Sequence, residues 1–279
     1  MKSALVVEGG AMRGIFAAGV LDTFQLQHYN PFDMVLGVSA GATSAAGYVT
    51  GNAPRNRKII TRLATQREFF NPVRFMLKGH MTDVKWLWLE AQARYPINAE
   101  ALATSTPLIA VITNMRTGEP EYHRVTADNI DVLMEATCAL PMAYRTPPRY
   151  QGVRYVDGGV TDAIPVQYAY EQGFKDITVI LSQPWGYQKA EEKGTWVANK
   201  VFARYPKLIQ AIQQRATRYN DTLAFIASPP ADCRINVIVP PAEFGVGRLT
   251  MRRDKLIHGY QMGRHAAQSY LAQLRDMAA

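Results

Sequence analysis

The sequence predicts an α/β domain of the doubly wound kind, and three observations carry that expectation. Short apolar runs of strand length, Ser3 to Val7 and Phe32 to Val38, are each followed by a helix-length segment. The first run ends in a glycine loop, Glu8-Gly9-Gly10-Ala11-Met12-Arg13-Gly14. The second ends in a tight turn, Gly37-Val38-Ser39-Ala40-Gly41. Strand, glycine loop, helix, strand, tight turn, helix is how a sheet wound on both faces by helices begins.

The bulk properties agree. With 279 residues, 48% apolar and 19% charged, the chain can build a sizeable core, and global disorder is excluded. Cys138 and Cys233 are too few and too far apart for a disulfide scaffold or a thiolate zinc site, which fits a reducing compartment. The net charge of +8 favours anionic partners such as nucleic acid or an anionic membrane. The basic residues are dispersed, however, and no nucleic-acid motif or basic–aromatic strand pattern accompanies them, so no nucleic-acid partner is expected.

Taken in order, Ala4-Leu5-Val6-Val7 is stopped by Glu8, too short for a signal peptide. A helical pattern follows through Ile15, Val20, Leu21 and Phe24. Residues 34–54 carry no charge and are long enough to span a bilayer, but they are mostly Gly, Ala, Ser and Thr. They read instead as a buried strand running into a tightly packed small-residue helix, Ala40 to Tyr48. No transmembrane segment is expected. The expected location is the cytoplasm, with peripheral contact to an anionic membrane left open. The middle of the chain is helical and aromatic, with Phe69-Phe70 and Trp86-Leu87-Trp88. Strand character returns at Leu108 to Thr113, Arg154 to Val156 and Ile177 to Leu181. After Ser182 come a loop, a basic helix from about Pro206 to Ile226 with Lys207, Arg215 and Arg218, a strand at Ile235 to Val239, and a closing helix from Arg252 to Met277. The expected division is a catalytic core at 1–182 and a helical extension at 183–279, with one or two strands, packed on the core as a lid.

Three blocks carry chemistry. Gly37-Val38-Ser39-Ala40-Gly41 is a G-x-S-x-G between a strand and a helix, where a strained turn exposes the serine hydroxyl and both flanking positions must lack side chains. The helix N-terminus there favours negative charge on an attacking oxygen. The alternative is a small-residue turn with an incidental serine. In the loop from Gly9 to Gly14, small residues let backbone N–H groups face a cleft, as an oxyanion hole requires. A dinucleotide fingerprint would also place glycines here, but Ala11 replaces its second glycine and the next strand ends in Ser39-Ala40 rather than an acidic residue. Asp157, followed by Gly158-Gly159, is placed to project a carboxylate from a strand end, although Asp-Gly is also ordinary turn chemistry.

Together, and in this order, the three blocks resemble the patatin-like phospholipases. Ala136-Thr137-Cys138-Ala139-Leu140-Pro141 and Asp157-Gly158-Gly159-Val160-Thr161-Asp162-Ala163-Ile164-Pro165-Val166 strengthen the likeness, which covers about residues 4–182. The chain looks most like compact bacterial members. The resemblance implies a three-layer fold with a mostly parallel sheet, and a serine acyl hydrolase working through a Ser-Asp dyad without cofactor or metal. By position, Ser39 would be the nucleophile and Asp157 its base, with oxyanion amides from Gly9, Gly10 and Ala11. Arg13 matches a basic residue common in this loop, and Gly14, Gly37, Gly41, Gly158 and Gly159 match supporting positions. Members usually show three consecutive glycines, so the Ala11 methyl is expected to narrow the acyl site. The implied substrate is a phospholipid or other acyl lipid. A Ser-Asp-His triad using His258 or His265 in a short-chain carboxylesterase or thioesterase remains a rival, as does a non-catalytic lipid-binding protein.

Overall fold

A computed structural model of the chain describes residues 1–74, 80–191 and 195–278. Eight strands form its sheet: β1 (Ser3–Val7), β2 (Met34–Val38), β3 (Leu108–Asn114), β4 (Pro120–Arg124), β5 (Arg149–Tyr150), β6 (Val153–Asp157), β7 (Asp176–Ile180) and β8 (Arg234–Ile238). β3, β2, β1, β7 and β8 lie side by side in that order and all run parallel. β4 and β6 both pair with β3 antiparallel, and β5 adds to β6.

β1 lies at the centre, and its alternation explains the layers. Leu5 and Val7 point into one apolar core and Ala4 and Val6 into another. Successive strand side chains face opposite ways, so a fully apolar run needs cover on both faces. On the Leu5 face lie α1 (Gly14–Leu26), α2 (Ala40–Val49) and a turn of helix, α3 (Arg55–Lys58), running on into a π-helical turn at Ile59–Leu63. The same face carries residues of α4 (Val84–Arg94) and α5 (Ile130–Thr137). α6 (Val166–Glu171), α7 (Thr195–Val201) and α8 (Pro206–Ala227) follow, with α6 and α8 covering the Ala4 face. The last helix, α9 (Arg253–Ala278), returns to the first face. The result is the expected three-layer α/β fold.

The segment 183–279 contributes α7, α8, β8 and α9. β8 joins the sheet beside β7, with Asp176 opposite Arg234 and Ile180 opposite Ile238. α9 lies directly against α1. A Cβ on Gly19 would fall 2.2 Å from the Tyr260 carbonyl oxygen, and one on Gly263 would fall 2.1 Å from that of Phe16. The two backbones therefore touch where each helix lacks a side chain. Beside this crossing the Tyr260 hydroxyl donates to Asp22 Oδ2 at 2.8 Å.

The uncharged stretch at 34–54 is β2 and α2, and its small residues Ala42, Ala45 and Ala46 are fully buried. Among the described residues, no helix is long and apolar enough to cross a membrane. Strands β4 and β5 are additions to what the sequence suggested. β4 reads Pro-Glu-Tyr-His-Arg and is only half-buried along most of its length, so it lacks the apolar signature of the central strands.

Two outcomes follow from the α1–α9 contact. Ala normally stabilises a helix interior relative to Gly by about 1 kcal/mol. Gly263→Ala should instead destabilise the protein by roughly 1–3 kcal/mol through overpacking, measured by chemical denaturation. The second concerns Asp22, whose carboxyl burial pushes up to about 6. Its contribution is fully present below its unfolded pKa and is lost as pH rises through about 6, a span worth roughly 2–3 kcal/mol. Asp22→Asn should therefore gain on the wild type as pH rises from 4 to 8, and denaturation curves at both ends will show it.

Candidate active site

The site forms where β2 and β6 meet on one edge of β3. Along that edge β2 pairs as far as Val38 opposite Val111. The other edge of β3 is taken by β4 from Ile109 to Thr113. β6 pairs with Ile112 to Asn114, with Asp157 opposite Ile112. An edge serves one partner at a time, so β6 must occupy the edge that β2 has just left. Ser39, which follows Val38, and Asp157 are thereby brought together. Thr137 at the end of α5 closes the junction, its hydroxyl donating to the Val111 carbonyl at 2.7 Å and accepting from the Ser39 N–H at 2.8 Å.

Ser39 has φ 53° and ψ −128°, in the left-handed region that costs a non-glycine residue roughly 1–3 kcal/mol. Its neighbours make the turn possible. A Cβ on Gly37 would lie 2.5 Å from Ala42 Cα, and one on Gly41 would lie 2.4 Å from the Val7 carbonyl oxygen. Both spaces are filled by backbone, so only glycine fits. The serine consequently caps α2 with its side chain making no capping bond.

Asp157 is 2% exposed. Its Oδ1 accepts from the Gly159 N–H at 2.7 Å, and its own N–H donates to the Ala139 carbonyl at 2.9 Å. Oδ2 is buried and has no hydrogen bond of ordinary length and angle. Burial raises the carboxyl above its usual range, opposed by the Ser39 hydroxyl, Arg215, the Gly159 amide and Arg248. Burial also pushes up the nearby Cys138 thiol, aided by the Asp157 charge, so it stays neutral.

The glycine loop lies beside the serine, a Cβ on Gly9 falling 3.0 Å from Ser39 Cβ. Hydrogen bonds engage the N–H groups of Glu8, Met12 and Arg13, and among the described residues none engages those of Gly9, Gly10 or Ala11. Ala11 takes φ 49° and lines the cavity with Ser39. Behind the loop, Glu8 accepts from the Ser182 N–H at 2.5 Å and from the Tyr219 hydroxyl at 2.9 Å. Arg13 donates to Ser182 Oγ at 3.1 Å. Arg13 thus braces the loop from behind, and Gly14 opens α1 where a Cβ would press on Ala40 at 2.9 Å. Gly158 passes close to Val111, with room for no Cβ.

A basic group surrounds this centre. Burial, with Arg215 and Arg248, lowers Lys189 to about 7, and its ammonium sits 4.7 Å from the centre of the Tyr219 ring. Arg215 donates to the Gly159 carbonyl at 2.7 Å. Ser39 opens onto a cavity of about 400 Å3 whose walls are largely apolar, including Ile60, Phe69, Leu87, Trp88, Met134 and Leu140. Of the aromatic stretches, Phe69, Phe70, Leu87 and Trp88 line the cavity and Trp86 does not, and Arg215 of the basic helix reaches the same space.

Residues 5–170 match the patatin-like phospholipase family. The chain belongs to that family. This patatin-like chain is accordingly of the hydrolase type that acts in lipid metabolism. Residues 205–279 match a separate family described as a domain of unknown function, DUF6363. The uncharacterized protein YjjU of Escherichia coli (strain K12) is 34% identical, over 97% of this chain and 77% of its own. Among solved structures, VipD from Legionella pneumophila aligns over 96% of this chain and 67% of its own, with TM-score 0.41 and 14% identity.

His258 and His265 lie exposed on α9, and no histidine is among the residues lining the cavity. Thr137, Ser182, Lys189 and Arg248 had no assigned role in the sequence. Only Thr137 lay in a motif, and its spacing to Ser39 exists in the fold alone.

Proposed function

We propose that the chain is a serine acyl hydrolase that cleaves carboxylic esters of lipids through a Ser39–Asp157 dyad and an acyl-enzyme. One observation carries the reading: a strained serine that lines a largely apolar cavity stands beside a buried aspartate with an open oxygen.

In the first half-reaction Ser39 Oγ forms a bond to the ester carbonyl carbon while its proton passes to Asp157 Oδ2. Gly9, Gly10 and Ala11 offer amides to the oxyanion, and one such donor is typically worth about 3 kcal/mol of barrier. Collapse of the tetrahedral species breaks the bond to the alcohol, which leaves with the proton held by Asp157. Water then attacks the acyl-enzyme, again giving a proton to Asp157, and the acid departs as Ser39 recovers its own. A carboxylate is a weak base for an alcohol, and burial raises its affinity for the proton. The Ser39 hydroxyl, Arg215, the Gly159 amide and Arg248 oppose that rise without cancelling it.

The cavity favours a lipid acyl chain over a short one. Leu249, 56% exposed, shares the cavity rim with Arg215 and Arg248, a pairing suited to the surface of an anionic membrane.

Ser39→Ala and Asp157→Asn should each lower ester turnover by at least about a thousandfold while still unfolding cooperatively, and His258→Ala retains most activity. A loss in His258→Ala equal to that in Ser39→Ala would reinstate a triad. Because Asp157 must be ionised, kcat/KM should fall as pH drops through its raised pKa, placing the acid limb above the ordinary aspartate range. An acid limb at the ordinary value would remove Asp157 as the base.

A further inference from the structure

Arg55 is the group in this cavity that hydrolysis of a plain acyl chain leaves without a purpose. It lines the cavity yet is only 2% exposed. Two of its nitrogens are held by the wall behind it: Nε donates to the Tyr95 carbonyl at 2.7 Å, and Nη2 donates to Gln92 Oε1 at 2.9 Å. The guanidinium carbon stands 5.5 Å from the Trp88 ring centre, and Trp88 lines the same cavity. Nη1 is buried and has no hydrogen-bond partner among the described residues. No acidic side chain among them forms an ion pair with Arg55, and burial alone pulls its pKa down to about 10. At neutral pH the group is still a cation, and its charge is unbalanced.

A buried charge without a counter-charge is destabilising, and a buried donor without an acceptor adds to it. A cavity built only for hydrocarbon would be better lined by leucine. We infer that the cavity takes an acyl chain carrying a second anionic group, a carboxylate at its far end, which pairs with Arg55 while the ester carbonyl lies at Ser39. This rests on the reading of Ser39 as the nucleophile. The distal carboxylate takes no part in bond making. It anchors the chain and sets its length.

The depth of the site bounds that length. Ser44 lines the cavity one turn or more beyond Ser39 on α2, and Asn56, next to Arg55, donates to the Ser44 carbonyl at 2.9 Å and packs against Gly47. At 1.5 Å of rise per residue, Ser44 and Gly47 lie about 8 and 12 Å from Ser39 along the helix. An extended chain of 1.5 Å bonds advances about 1.3 Å per carbon, so the span accommodates roughly six to ten carbons. Both Nη1 and the cation-facing Trp88 then act as specificity elements at the Arg55 end of the cavity.

The test compares chromogenic esters of dicarboxylic acids, each with one carboxylate free, against esters of the matching monocarboxylic acids, from six to ten carbons. Wild type should show a kcat/KM at least about tenfold higher for the free-carboxylate ester at the fitting length, the ratio expected of a charge-assisted hydrogen bond. Arg55→Met should lose that preference, and Arg55→Lys should keep part of it. In a second arm, calorimetry on Ser39→Ala compares decanedioate with decanoate and expects tighter binding of the diacid. Equal or faster hydrolysis of the plain chain at every length, with no calorimetric preference, overturns the proposal, whether or not Arg55→Met folds. If neither ester series is hydrolysed, the reading of Ser39 fails instead, and the binding arm alone then decides the role of Arg55.

Discussion

Everything at the site depends on one edge of β3 being shared by two strands that arrive from opposite directions. β2 runs parallel to β3 and stops at Val38, and β6 runs antiparallel and stops at Asp157, both ending at the same point along that edge. A parallel β6 would point its last residue away from the serine. The reversal of this one strand in an otherwise parallel sheet brings two C-terminal strand ends face to face, and both deliver a functional side chain into one place. The elbow glycines and the Thr137 bridge are consequences: the chain must turn sharply off β3 on both sides, and the polar groups freed at the break need partners.

Around this junction the protein concentrates charge in a buried setting, which is costly unless the charges compensate one another. Glu8 is held by Ser182 and Tyr219, and Arg13 reaches the same serine. Lys189 shares their space and is lowered to about 7 by burial and neighbouring arginines. A net positive field at the mouth suits a reaction in which negative charge moves from carboxylate to oxyanion.

The sequence exposed the parts of the fold whose physics is local. β1, β2 and β7 are apolar runs buried on both faces, and the two glycine turns are demanded by close backbone approach, so all were readable from composition and spacing. β4 was not, because Pro120 to Arg124 is half-buried and polar and is held as a strand only by pairing with β3. At the site, Ser39 and Asp157 sat in glycine-marked blocks that a reader can find. Arg215 and Arg248 come from a helix and a loop late in the chain, and Arg55 follows Pro54 in an unmarked stretch. Their roles arise from which walls the fold brings together, and no pattern in one dimension records that.

The Glu8–Ser182 hydrogen bond joins residues 174 apart in the chain. It lies beside the rung where β1 meets β7, so β1, central in the sheet, stays unpaired along one edge until β7 has been synthesised. Chains dominated by such distant pairings fold slowly, and an open apolar edge is a template for strands of other molecules. Until β7 emerges the nascent chain therefore carries its innermost strand as an adhesive surface. How long that edge waits is a matter of timing that the finished structure conceals.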